Sequence, residues 1–331
     1  MDKPVNSFST SGESSQLEIP PQAPAGRSPI FFGPNGLRAG WRVLIFILMV
    51  VALRFALMAG TQLAVRAFGL APPSNAQITV LQPGVLAGPD FMRFALILVA
   101  SLIMGRIEHR KLAHFGLPWR KPFPKNFWVG LLWGFLTISG VLLVTFLMHG
   151  CRITGVDTHG SALALAFLEW GGAFLLVAFF EEFTFRGYIQ FTLTTGIGFW
   201  TSACLLSCLF LLAHAGNSGE SYFGLFQVGA FGIFASIALR RTGNLWWPIG
   251  FHAAFDWGQT FFYGVRDSGL IASHNFLHTE FQGPNWLTGG ETGPEASVVT
   301  AVAIVILCLL MIRLYPQTRY PDPEALGSRP R

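Results

Sequence analysis

Apolar runs long enough to cross a bilayer recur about eight times along this chain, and no other feature restricts its fold as severely. They lie at roughly 42–65, 91–107, 127–148, 163–185, 198–214, 222–239, 246–264 and 296–313, each close to the ~20 residues that a hydrocarbon core requires. Lipid offers no partners to backbone N–H and C=O groups, so runs of this kind must satisfy themselves as helices. The expected fold is all-α, a polytopic transmembrane bundle of about eight helices. The charge content points the same way. Only 12% of the 331 residues are Asp, Glu, Lys or Arg, about half the share of a soluble domain. A net charge of +5 does not signal nucleic-acid binding here, because the basic residues sit between apolar runs, where cytoplasmic loops meet anionic lipid.

The distribution of basic residues gives an orientation. Arg27, Arg38 and Arg42 precede the first run, and Arg106, Arg110, Lys111, Arg120, Lys121 and Lys125 separate the second from the third. Arg240 and Arg241 end the sixth, and Arg313, Arg319, Arg329 and Arg331 follow the last. The alternate connections hold only isolated cations such as Arg152 and Arg266. By the positive-inside rule both termini are expected in the cytoplasm, in an integral, multi-pass protein. Residues 1–40 form a Ser-, Pro- and Gly-rich polar tail without a core, residues 41–315 the bundle, and residues 316–331 a second tail. The tail at 1–40 has no cleavable signal pattern, so targeting falls to the first helix. The four cysteines make no disulfide framework. Cys204 and Cys208 share a helix face, and packing is the simpler use of that pair.

Ionisable side chains inside such helices are costly and need a reason. The fourth run ends in Glu181 and Glu182, with Arg186 one turn beyond Glu182, so that Arg186 can hold Glu182 while Glu181 points elsewhere. The fifth ends with Phe210 and His214 at the same spacing. In the seventh, His252 and Asp256 share a face that Gln259 continues. Taken singly, each motif has a plain structural explanation: an interfacial ion pair, a helix-end histidine, an Asp that orients a His. Together they supply carboxylates and imidazoles that can activate a water and stabilise an oxyanion. They could equally hold zinc through His214, His252 and a carboxylate, Glu181 or Asp256. His274 and His278 have metal-like spacing but fall in a Gly-rich outer loop, and Arg54 has no evident partner in the first run.

Glu-Glu-x-x-x-Arg, Phe-x-x-x-His and His-x-x-x-Asp, in this order, resemble the three motifs of the CAAX prenyl protease and bacteriocin-processing (CPBP) family of intramembrane endopeptidases. The stretch NLWWPIGFHAAFDW is similar to bacterial members, and the resemblance spans roughly residues 125–265. It implies catalysis by Glu181, His214, His252 and Asp256, with Glu182, Arg186 and Phe210 in support. Glu181 would be the general base, and His252 and Asp256 would stabilise the oxyanion or, in a metallo version, join in binding a divalent metal such as zinc. Eukaryotic prenyl proteases end the third motif in Asn, which can donate to an oxyanion; ionised Asp cannot. The partners implied are a membrane-anchored protein or peptide substrate, a prenylated CAAX-type chain among the choices, and membrane lipid.

Two readings without proteolysis compete: a scaffold for immunity or secretion that keeps the fold, and a proton-coupled transporter using the same carboxylates. Sequence also raises a question of depth. At ~1.5 Å per residue Glu181 lies near the cytoplasmic side, and the cut is expected near that face, while His214 falls towards the far end of the fifth run. Either the helices tilt, or the fourth continues past Gln190 and leaves Glu181 mid-membrane, as the mostly apolar run to Trp200 permits.

Overall fold

A computed structural model of the chain describes residues 28, 30–33, 36–69, 80–119, 123–217 and 219–321. Most of the polar tail expected at 1–40, the end of the second tail, and Arg27, Arg120, Lys121, Arg329 and Arg331 lie outside the described residues. Every expected run is helical. The helices are α1 (Ala39–Phe68), α2 (Pro83–Ile107), α3 (Lys125–Leu147), α4 (Gly160–Arg186), α5 (Tyr188–Ile197), α6 (Phe199–His214), α7 (Tyr222–Thr242), α8 (Trp246–Trp257), the single turn α9 (Asn285–Thr288) and α10 (Val298–Leu314).

Five spans are long and apolar enough to cross a membrane: α1, α2, α3, α7, and α4 with α5 as one run of 38 residues. Large apolar side chains such as Phe55, Leu63, Leu168 and Leu309 stand exposed along the helices, as expected where lipid rather than water covers the surface. The protein is an integral membrane protein. The remaining expected spans are shorter. α6 and α10 have 16 and 17 residues, or ~24–26 Å at ~1.5 Å per residue, against a hydrocarbon core of ~30 Å. The seventh is divided into α8 and one π-helical turn, Gly258–Phe262. It needs no lipid-facing surface, because α8 is buried from Trp246 through Ala254.

α8 is the axis of the bundle. Its consecutive tryptophans enter different cores: Trp246 packs with Phe127, Phe179 and Phe183, and Trp247 with Phe234, Phe251 and Met311. It packs most extensively against α3. The helices meet backbone to backbone, because side chains at Gly130 or Gly134 would collide with the carbonyls of Trp247 and Phe251, and one at Gly250 with that of Phe127. Small residues four apart allow this approach in a membrane, where packing rather than water expulsion holds helices together. The Gly-x-x-x-Gly at 130–134 is the sequence signal of this contact.

The two ends of the bundle differ in charge. At one end, Glu108 accepts from Arg42 Nε at 2.9 Å, from Tyr188 Oη at 2.5 Å and from Arg110 Nη1 at 3.4 Å, and it makes a further close ion pair with Arg42 Nη2. Burial opposes the charged form of Glu108, but the bonds from Arg42 and Tyr188 outweigh it and hold the carboxyl below its ordinary value. This end also carries Arg240 and Arg241, which close α7, and Arg313, which closes α10. The chain beyond α10 is fastened to it. Arg319 N donates to the Arg240 carbonyl at 3.1 Å, and Tyr320 packs on Phe191 and Phe199.

The opposite, Arg-poor end is capped by chain from the α3–α4 and α8–α10 connections. Here strand Cys151–Val156 pairs antiparallel with strand Leu277–Phe281. His278, expected in a solvated loop, lies on this ribbon, half-exposed, with Nδ1 3.2 Å from Asp157. All four cysteines are free. Cys204 and Cys208 are exposed on the outer face of α6 rather than packed in the bundle, which corrects the packing expectation: the helix turns its polar and aromatic face inward and leaves this one to lipid. Arg54 is likewise exposed on α1.

Candidate active site

Glu181 sits well inside its span. α4 does not end at the Arg-rich end; it breaks at Gly187, where a side chain would strike the Phe183 carbonyl, and the chain runs on as α5 to Ile197. The second arrangement anticipated from sequence is therefore the one adopted, and the expectation of a site beside the Arg-rich end is corrected. α6 runs back from Gly198 and delivers His214 from its last turn, while α8 delivers His252 and Asp256. The three sequence motifs converge.

His252 is the hub. Its Nδ1 lies 3.0 Å from Glu182 Oε1, and its Nε2 lies 3.2 Å from Asp256 Oδ2 and 3.7 Å from Glu181 Oε2. Glu182 is fully buried, and the same Oε1 accepts from Arg186 Nη1 at 3.3 Å. The orienting partner of His252 through Nδ1 is thus Glu182, reached from another helix. Sequence spacing had paired Glu182 with Arg186 alone and had offered Asp256 for the orienting task.

His214 is fixed through its own helix. Its Nδ1 is 2.9 Å from the Phe210 carbonyl, which can only accept, so the ring proton sits on Nδ1 and Nε2 is left as an acceptor. Nε2 faces Glu181 Oε1 at 3.9 Å. The Phe210 ring meets the His214 ring edge-on at 4.6 Å and carries the Arg186 guanidinium over it, also at 4.6 Å. Phe210 therefore sits between two site residues, which accounts physically for the Phe-x-x-x-His spacing.

Glu181, His214, His252 and Asp256 all line one cavity of about 610 Å³. Aromatic rings, among them Phe180, Phe231 and Phe255, form much of its wall. It extends to Asn217, Gly224, Ser268 and Thr300, all at the Arg-poor end. Asp267 and Glu295 line it too. These two acids were not singled out in the sequence, because they are 28 positions apart in a connection without periodicity (267 to 295).

The set does not fit a metal site. Zinc gathers three or four donors to within about 2.0–2.3 Å of one point. Among the described residues no group of three or more His, Cys, Asp or Glu side chains could hold a metal ion. Nδ1 of the two site histidines is held by Phe210 and by Glu182, an arrangement compatible with either chemistry, so the spacing of the donors is what counts against a metal.

Residues 163–258 match the family model for the type II CAAX prenyl endopeptidases, Rce1-like. This segment holds every residue of the three motifs, and the family resemblance read from them stands on it. The matched family is one of proteases acting within membranes, and the bundle is a membrane bundle. α3, which supports α8 through the glycine contacts, lies outside the matched segment. No curated protein and no solved structure matches the chain.

Proposed function

We propose that the chain is an intramembrane endopeptidase in which Glu181 activates water to hydrolyse a peptide bond of a membrane-anchored substrate. The observation that carries this reading is the convergence of Glu181, His214 and His252 on one cavity at separations of 3.7–3.9 Å. Those gaps are too long for a direct hydrogen bond and suit one water held between the groups. Such a water donates one hydrogen to the Glu181 carboxylate and the other to the acceptor Nε2 of His214. Its lone pair then points at the substrate carbonyl.

Attack transfers the first proton to Glu181 and places negative charge on the carbonyl oxygen. His252, when both ring nitrogens carry protons, donates Nδ1–H to Glu182 and shares Nε2–H between Asp256, 3.2 Å away, and the oxyanion that forms beside it. Collapse of the adduct breaks the C–N bond, and the proton held by Glu181 passes to the leaving amine. Arg186 and Glu182 act one step back, holding the imidazole in register. No step requires a metal, in keeping with the donor geometry.

By the positive-inside rule the Arg-rich end and both termini face the cytoplasm. The cavity then runs toward the opposite face. This favours substrates anchored in the outer leaflet over a prenylated CAAX chain in the cytoplasmic one. The test compares membrane-protein termini by mass spectrometry in cells carrying the wild type or Glu181→Ala at matched expression. A terminus generated only by the wild type supports proteolysis and supplies the substrate. Identical termini, with a mutant that still rescues the deletion, would replace this reading with a scaffold.

A further inference from the structure

Beyond the water-activating cluster, the cavity is lined by an excess of carboxylates. Asp90, Asp256, Asp267 and Glu295 line it together with Glu181, and Arg93 is the one Arg or Lys in its wall among the described residues. Arg93 is taken by Asp90, at 2.7 Å. Arg266, the nearest cation of the α8–α10 connection, turns instead to Glu291, at 3.1 Å. Among the described residues no Arg or Lys is therefore committed to Asp267 or Glu295.

A second observation points to a ligand. Gln259 and Gln227 line the cavity from different helical segments and are 1% and 3% exposed. Their amide nitrogens are committed: Gln259 Nε2 donates to Glu295 Oε2 at 2.6 Å and to the Arg266 carbonyl at 2.8 Å, and Gln227 Nε2 donates to the Ser297 carbonyl at 2.8 Å. Those bonds fix the amide orientations, and Oε1 of each glutamine is left without a partner. Buried acceptors of this kind are normally satisfied. At both glutamines the unused hydrogen-bonding capacity is that of an acceptor.

We propose that Asp267, Glu295, Gln259 and Gln227 form a subsite for a cationic group of the substrate, a Lys or Arg side chain or a free α-amine. Only such a group brings several N–H donors together with positive charge. A carboxylate, including a free C-terminus, has no N–H to offer the glutamine oxygens and is disfavoured. The subsite and Glu181 line the same cavity, with Gln259 three residues beyond Asp256 in the chain, so one substrate can reach both. The electrostatics agree. Burial, reinforced by Asp256, pushes Asp267 up to about 8, and burial with Asp267 nearby raises Glu295 well above the usual carboxylate range. An ammonium or guanidinium between them would favour the ionised forms. The subsite names the substrate class for the proposed protease and rests on that reading for its purpose, but its binding can be measured without cleavage.

The experiment uses the full chain in detergent with two capped tripeptides, acetyl-Gly-Arg-Gly-amide and its citrulline counterpart, which is nearly the same shape but uncharged. Binding is read by the shift in thermal unfolding midpoint. The arginine peptide is expected to bind at least about tenfold more tightly, as one or more charge-assisted hydrogen bonds would give. Asp267→Asn with Glu295→Gln should erase the difference, and Glu295→Gln alone should narrow it if the double variant does not fold. Equal affinity of the two peptides for the wild type would overturn the subsite. Glu181→Ala should retain the arginine preference, so loss of proteolysis and loss of the subsite remain separate results. Cleavage without the preference removes the subsite, and the preference without cleavage removes the protease.

Discussion

The two ends of this bundle treat buried carboxylates in opposite ways. At the Arg-rich end Glu108 is saturated by Arg42, Arg110 and Tyr188. Among the described residues from mid-span toward the other end, Glu181 has no direct hydrogen bond from protein, Asp267 has one, from Thr260 at 2.9 Å, and Glu295 accepts only from the neutral donors Gln259 Nε2 and Ser268 N, each at 2.6 Å. The first arrangement is what a structural ion cluster requires, since an unpaired buried charge costs several kcal/mol. The second withholds the partners that would have made the charge inert, leaving it for water and substrate. Between them stands Glu182, which belongs to both patterns. Arg186 neutralises it as a structural charge is neutralised, and it spends the same oxygen on positioning His252.

The contrast can be broken by substitution. Glu181→Ala should lower cleavage by about 10²–10⁴-fold while leaving the melting temperature close to that of the wild type, since its nearest partners, His214 and His252, stand 3.7–3.9 Å away and keep their own bonds to Phe210 and Glu182. Glu182→Ala should do more to the fold, stranding Arg186 in the core at about 3–5 kcal/mol and releasing His252; thermal unfolding and a folded-yield assay read this out. Gly134→Leu should cost about 1–3 kcal/mol by forcing α3 from the Phe251 carbonyl, and cleavage should fall with it because α8 carries His252 and Asp256. Arg152→Ala, at an exposed pair with Glu280 on the ribbon, should leave the melting temperature unchanged, as is usual for solvated ion pairs.

Acidity sharpens the same comparison, because the two ends carry opposite signs. Glu108 is depressed in the fold, so its contribution is present above the unfolded carboxylate range and lost as pH falls through the folded value. Asp267 and Glu295 are raised, so the folded state keeps protons that the unfolded chain releases. Stability from this pair is full at acidic pH and declines as pH climbs from about 4 toward about 8. Melting temperatures across that window should therefore decline with pH more steeply in the wild type than in Asp267→Asn with Glu295→Gln. An identical slope in both would remove the raised acids from the account.

How much of this was legible in sequence follows from what each contact depends on. Helices and their order were readable because lipid forces backbone self-satisfaction, and apolar length then maps onto helices directly. The i, i+4 relations (Glu182 with Arg186, Phe210 with His214, His252 with Asp256) were readable because one helix fixes them. The bond from Glu182 to His252 was not, because it joins α4 to α8, 70 positions apart in the chain, and exists only once the two helices pack. Nor was the depth of Glu181, which turns on whether the chain breaks or ends at Gly187. The acids at 267 and 295 had no periodic signal, and only the closing of the α8–α10 connection over the cavity brings them together.

The most direct test of the central claim is cleavage in purified vesicles, using whichever substrate the comparison of termini identifies. Wild type and Glu181→Ala would be measured before and after exhaustive chelation. The account predicts that the wild type cleaves at the same bond and rate in both conditions and that Glu181→Ala does not cleave in either. Cleavage by Glu181→Ala at the wild-type rate would contradict the assignment of Glu181 as the base. Loss of wild-type activity on chelation, with recovery on adding zinc, would contradict the metal-free chemistry.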